Sequence, residues 1–182
     1  MKKEPTSLPD VFQLFPEVYP DDRGAFLETY NADTFRSIGI IDEFIQDNLS
    51  ISKQNVLRGI HFQLEPFSQS KLVSVASGKV FDVAVDLRRQ SPNFGKWIGV
   101  TLDDATHNML YIPRGFGHGY YVLSSEAKFM YKVAGGVYNK ESSAGIIWSD
   151  PSLHITWPLV GTPILSAQDA NLPKISEDLK LF

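Results

Sequence analysis

Short runs of alternating apolar and polar residues fill most of the chain, and clusters of turn residues break them at regular intervals. The stretch "KLVSVASGKVFDVAVDLRR" (71–89) predicts two strands joined as a hairpin at Ser77-Gly78. In its second arm Phe81, Val83, Val85 and Leu87 alternate with Asp82, Ala84 and Asp86. This period of two gives one apolar face and one face that accepts carboxylates. "VLRGIHFQ" (56–63) is an otherwise apolar strand that carries an arginine, a glycine, a histidine and a glutamine. Further strand-like runs are "WIGVTL" (97–102), "NMLYIP" (108–113), "HGYYVL" (118–123), "KFMYKVA" (128–134) and "AGIIW" (144–148). "SPNFG", "DDATH", "PRGFG", "SSE" and "YNKESS" separate them as turns.

Helical pattern is confined to "NADTFRSIGI" (31–40), with Asn31 or Asp33 as N-cap and Gly39 near the end, and to a turn or two in the tail "SEDLKLF". Many short strands with few helices predict an all-β fold, a cupin-like jelly-roll sandwich or barrel. Residues 1–182 form one domain of ordinary size, ample for a core. A strand-forming N-terminal arm covers about 1–30, and the Pro-rich polar segment 158–182 is expected to wrap over the barrel.

Composition narrows the chemistry. The chain has no cysteine, which excludes disulfides, thiolate metal sites and a thiol nucleophile. A net charge of −4 and a pI of about 5.5 offer no basic surface for nucleic acid. A negatively charged small substrate remains compatible with them, because a pocket can be basic on an acidic protein. "MKKEPTSLPDV" lacks the apolar stretch of a signal peptide, and no apolar run approaches a membrane span, so the expectation is a soluble cytoplasmic protein.

The polar residues embedded in strands are Arg58, His61, Gln63, Lys71, Asp82, Asp86, His118 and Tyr131. Burying so many in one sandwich is costly without partners, so together they imply a wet, polar cavity. Singly, each has a plainer explanation. His61 fits a satisfied core histidine, Lys71 a snorkelling edge lysine and Tyr131 a core tyrosine with a bonded hydroxyl. His118 opens a strand and suits the barrel rim. Asp169 in "LSAQDANLP" reads as a turn aspartate, and Arg23 in "PDDRGAFLE" as a turn arginine. A metal-binding cupin needs a second histidine where Gln63 stands, and the four histidines (61, 107, 118 and 154) are scattered, so no metal is expected. Arg58 and His61 are three apart and face opposite sides of a regular strand. They serve one pocket only if the strand is irregular, and Gly59 is a suitable place for a bulge.

Ordered blocks from about residue 10 to about residue 173 carry a resemblance: "DDRGAFLETY", "FIQDNLSIS", "VLRGIHFQ", "QSKLVSVASGKVFDVAVDLR", "SPNFGKW", "YIPRGFGHGYYVLS", "FMYKV", "IIWSDPSLHITWP" and "LSAQD". This series resembles the dTDP-4-dehydrorhamnose 3,5-epimerases, a cupin family of dTDP-L-rhamnose biosynthesis. The resemblance implies a cofactor-independent, metal-free isomerase that works as a homodimer, with the N-terminal segment of one subunit completing its partner's sheet and site. It implies His61 as base, Asp169 as its partner, Tyr131 as acid on the opposite face, and Lys71 and His118 around the sugar. It places Arg58, Gln63 and the run Gln46, Asp47 and Asn48 at ligand-binding positions, with Arg23 and Glu28 reaching across the dimer. Three departures stand out: Gln168 replaces a common lysine, Ser143 a common glutamate, and "GHGY" the common "AHGF".

These roles agree with the chemistry of the residues. The carbons flanking a 4-ketone are acidic, and inverting one needs a base, an acid on the other face and a stabilised enolate. An imidazole near its ordinary pKa of about 6.5 suits the base. A carboxylate fixes its tautomer, a phenol holds its proton for the acid step, a lysine meets the enolate oxygen, and arginines meet a diphosphate. The competing expectations are epimerisation at C3 or C5 alone, a 3,4-ketoisomerase, and a non-catalytic sugar-nucleotide-binding cupin.

Overall fold

In the computed structural model, which describes residues 1–182, the two strands flanking Ser77-Gly78 lie in different sheets. The strands are β1 (Lys2–Pro5), β2 (Phe12–Phe15), β3 (Val18–Asp21), β4 (Gly24–Leu27), β5 (Phe44–Lys53), β6 (Leu57–Gln63), β7 (Gln69–Ser77), β8 (Lys79–Asp86), β9 (Trp97–Asp103), β10 (Met109–Ile112), β11 (Phe116–Val122), β12 (Glu126–Gly135) and β13 (Ser143–Gly145). A six-stranded sheet has the order β1-β2-β10-β7-β12-β5, and a five-stranded sheet the order β13-β6-β11-β8-β9. β3 and β4 pair only with each other. The hairpin expected over 71–89 is therefore a corner: β7 pairs with β10 and β12, whereas β8 pairs with β11 and β9. Gly78 makes the corner at φ 86°, where a Cβ would lie 2.2 Å from the Glu126 carbonyl. Its backbone N–H donates to the Asp104 carboxylate (2.8 Å).

The inner faces of the two sheets pack together through Val73, Val75 and Phe129 on one side and Val80, Ala84, Ile98, Leu102 and Val122 on the other. The alternation in 81–87 is real, but both faces of β8 are buried. Val83, Val85 and Leu87 point outward and lie under a cover built from Ile146, Leu153 and Trp157, with Leu165, Leu179 and Phe182 at its margin. Burial of each such aliphatic side chain contributes about 1.5–3 kcal/mol. Residues 146–157 thus form the main cover of the five-stranded sheet, and Leu165, Leu179 and Phe182 of the C-terminal segment pack against its margin. Of "AGIIW" only the first residues extend a strand; Ile146 is apolar because it is part of that cover.

Helix α1 (Ala32–Ser37) is capped by Asn31, whose side chain accepts from the Asp33 and Thr34 amides, and Gly39 follows it at φ 83°. Helix α2 (Ala167–Ala170) is a single turn capped by Ser166. No helix is long and apolar enough to cross a membrane. The outer face of the six-stranded sheet has no cover over Ile45, Leu49, Ile51 and Met130, and Tyr19 and Phe26 of the β3–β4 hairpin are also exposed.

Candidate active site

A bulge at Gly59 turns two strand neighbours into one wall. His61 pairs with His118 and Arg58 with Tyr120, so two residues of β6 oppose the single Gly119 of β11. Arg58 and His61 consequently face the same side despite their spacing. Gly59 sits at φ 124°, and a Cβ there would lie 2.5 Å from the Gly119 Cα. Glycine is needed on steric grounds and for its backbone conformation.

Both side chains line a cavity of about 320 Å³ between the sheets, together with Lys71, His118, Tyr131, Asp169, Ser50, Tyr120 and Gln168. His61 and Tyr131 come from β6 and β12, on opposite sheets. Asp169 arrives from α2 and is 3% exposed. Its Oδ1 lies 2.6 Å from Nε2 of His61, by an approach off the ideal ring N–H direction. The Gly59 amide donates to the same oxygen at 3.3 Å, and Ser166 Oγ donates to Oδ2 at 2.7 Å. Burial alone would raise the Asp169 pKa; the His61, Ser166 and Gly59 hydrogen bonds outweigh it and hold the carboxyl below its ordinary range. A fixed negative charge thus stands beside one ring nitrogen and leaves Nδ1 as the other.

A second histidine–carboxylate pair lies deeper. His118 Nε2 is 2.8 Å from Asp82 Oδ2, and both residues are buried. The expectation of His118 at the barrel rim is corrected: β11 begins at Phe116, which carries His118 inward, where its ring stacks on Phe129. Burial lowers the His118 pKa and raises that of Asp82, and each opposes the shift of the other. Lys71 is no edge lysine; β7 lies between β10 and β12. Burial pushes its ammonium down to about 8, with Asp82 resisting. For Tyr131, burial raises the phenol pKa, Tyr120 adds to the rise and Arg58 opposes it. At neutral pH the cavity therefore offers a carboxylate-backed imidazole, a largely cationic lysine and a protonated phenol.

The family model described as dTDP-4-dehydrorhamnose 3,5-epimerase matches residues 5–177. The chain belongs to the dTDP-4-dehydrorhamnose 3,5-epimerase family. It is 50% identical to the dTDP-4-dehydrorhamnose 3,5-epimerase of Shigella flexneri over 91% of each chain. Identity to the Salmonella typhimurium enzyme of the same name is 49%, over 96% of this chain and 95% of the relative. The crystal structure of dTDP-6-deoxy-D-glucose-3,5-epimerase from Legionella pneumophila Philadelphia 1, in complex with dTDP-4-keto-L-rhamnose, superimposes with a TM-score of 0.90 at 42% identity, covering 96% of this chain and 98% of the other. These likenesses agree with the all-β jelly-roll fold described above.

The remaining residues of this epimerase-family chain spread over three places. Gln63 lines a recess of about 220 Å³ that adjoins the cavity, with Gln69, Tyr138, Ser143 and Gln168. Its Oε1 accepts from the Asn139 amide (2.8 Å), so its carbonyl is committed to the chain itself. Gln46 and Asn48 lie on the inner face of β5, joined by a 2.9 Å hydrogen bond. Asp47 between them points to the outer face and pairs with Lys132 at 2.8 Å, as strand alternation requires. Arg23 sits at the β3–β4 turn and pairs with Asp21, and Glu28 accepts from Asn31 and Thr34. Neither lines the cavity of its own chain. Asp82, one of the strand-embedded polar residues expected around the cavity, had no role assigned to it from its position on 81–87; the structure pairs it with His118. Ser166 was not among the expected site residues, although its S-x-x-D spacing to Asp169 is a helix-start signal.

Proposed function

We propose that the protein epimerises dTDP-4-dehydro-6-deoxy-D-glucose at C3 and C5 to dTDP-4-dehydro-L-rhamnose, a step of dTDP-L-rhamnose biosynthesis. The observation that carries this reading is a carboxylate-backed histidine and a protonated tyrosine on opposite walls of one cavity that also holds Lys71. His61 takes the proton from the carbon beside the ketone through Nδ1, because Nε2 faces Asp169. The electron pair moves to the ketone oxygen, where the Lys71 ammonium stabilises the enolate. Tyr131 then delivers a proton to the same carbon from the opposite face, and the configuration inverts. Solvent returns His61 and Tyr131 to their starting protonation states. Asp82 holds His118 in place and offsets the cost of burying Lys71. Arg58 meets the diphosphate, and Gln46 and Asn48 meet the nucleotide.

Incubation with dTDP-4-keto-6-deoxyglucose in deuterated water tests the reading. Solvent deuterium at both C3 and C5, with L-rhamno product, is expected. Deuterium at one carbon assigns a single-carbon epimerase, a moved ketone assigns a ketoisomerase, and no exchange leaves a binding protein.

The same reading includes a homodimer in which Arg23 and Glu28 complete the partner's cavity. The supporting features are the uncovered apolar residues Ile45, Leu49, Ile51 and Met130, the exposed Phe26 beside Arg23, and the edge position of β5. Edge strands offer unpaired backbone groups to another chain. Sedimentation at micromolar concentration is expected to give a dimer, and Arg23→Ala to raise KM. A fully active monomer would contradict this arrangement.

A further inference from the structure

We propose that Ser166 is the positioning residue of the proton-abstracting pair: its hydroxyl holds the Asp169 carboxylate in the orientation that presents Oδ1 to His61. The inference rests on the assignment of His61 as the base and goes beyond it to the group that sets the base's partner.

The carboxylate must be aimed, because Asp169 belongs to the C-terminal wrap and not to the barrel that bears His61. Its two oxygens have separate partners. Oδ1 faces β6, where the Gly59 amide and His61 Nε2 meet it. Oδ2 takes a 2.7 Å hydrogen bond from Ser166 Oγ. The same Oγ accepts from the Asp169 amide at 3.0 Å, so one hydroxyl fixes both backbone and side chain of the residue. In an ordinary capping box the acidic side chain three residues after the cap reaches back to the cap's own amide. Here Asp169 accepts from the cap hydroxyl instead and turns its other oxygen toward the barrel. Without that hydroxyl, Oδ2 of a residue that is 3% exposed loses its donor. A buried carboxylate left short of a donor rotates or gains a proton to recover one. Either response takes negative charge away from Nε2 and frees the imidazole ring to turn.

Capping and aiming make different predictions, which separates this role from simple support of α2. Glycine is a nearly adequate N-cap, whereas alanine is a poor one; neither can donate to Oδ2. Ser166→Gly and Ser166→Ala are both expected to lower kcat about tenfold, the worth of one hydrogen bond to a charged group, with KM within about twofold of wild type. Ser166→Thr keeps the hydroxyl and is expected to restore most of kcat. Combining Ser166→Gly with Asp169→Asn should be no slower than Asp169→Asn alone, because the serine acts only through the aspartate. Wild-type kcat in Ser166→Gly, or additive losses in the double variant, would overturn the proposal. His61→Ala is measured beside them. If it is inactive while Ser166→Gly matches wild type, only the positioning role falls; if it turns over normally, the base assignment and the inference built on it fall together.

Discussion

Replacing His61 with alanine is expected to lower turnover at least ~10²-fold, the lower range for loss of a general base, while the fold survives. The change removes the one imidazole that faces Asp169 in the cavity. His118 cannot substitute, since its Nε2 is tied to Asp82 and burial lowers its pKa. Exchange of substrate hydrogen for solvent deuterium is therefore expected to fall together with product formation. KM should change little, because Arg58, Gln46 and Asn48 remain. Structural survival follows from the environment. The His61 side chain is 38% exposed, so its removal leaves a wet space and not a dry cavity. Asp169 keeps its Gly59 and Ser166 donors. Steady-state kinetics and a thermal melt on the same preparation decide the matter, and near-wild-type turnover would end the mechanism.

The residues differ in how much of this their local sequence could reveal. Alternation over 81–87 identified the two faces of β8 correctly, but not that β7 and β8 part company at Gly78. A strand, a Gly-containing turn and a second strand look alike locally in a hairpin and at a jelly-roll corner. The difference lies in partners elsewhere in the chain, such as β12 for β7 and β11 for β8. Gly59 was legible as a bulge because Arg58 and His61 could share a pocket in no other way, and the shifted pairing at Gly119 bears this out. Asp169 was not legible locally: its surroundings read as a turn, and its meaning depends on a contact with a strand more than a hundred residues earlier. The resemblance of "LSAQD" to a family motif pointed to it where spacing could not. Asp47 is the opposite case. Three consecutive residues of a strand cannot share one face, so the run Gln46-Asp47-Asn48 had to send its middle member to the outer surface, where Lys132 holds it.

Changing Tyr131 to phenylalanine is expected to separate two events that normally occur together. Tyr131 comes from β12, in the sheet opposite the one that carries His61, and burial keeps its phenol protonated well above neutral pH. Phenylalanine keeps the ring and its packing beside Phe129 but deletes the proton. The proposed base His61 and the proposed enolate partner Lys71 are untouched, so the enolate is still expected to form. With no donor on the far face, His61 returns a proton to the face it came from, and by then that proton has exchanged with solvent. Deuterium should thus continue to enter the recovered substrate, while inverted product falls by at least ~10²-fold, the range for a lost general acid. A tyrosine that merely packs in the core makes a different prediction: parallel, modest losses in exchange and inversion, since its hydroxyl would affect both through stability alone. Proton NMR of the substrate and product pools in deuterated water reads both rates from one sample. Inversion at the wild-type rate, or equal loss of exchange and inversion, would remove Tyr131 from the acid role and move the search for a donor to Tyr120, whose hydroxyl lines the same cavity and is hydrogen-bonded to Ser50.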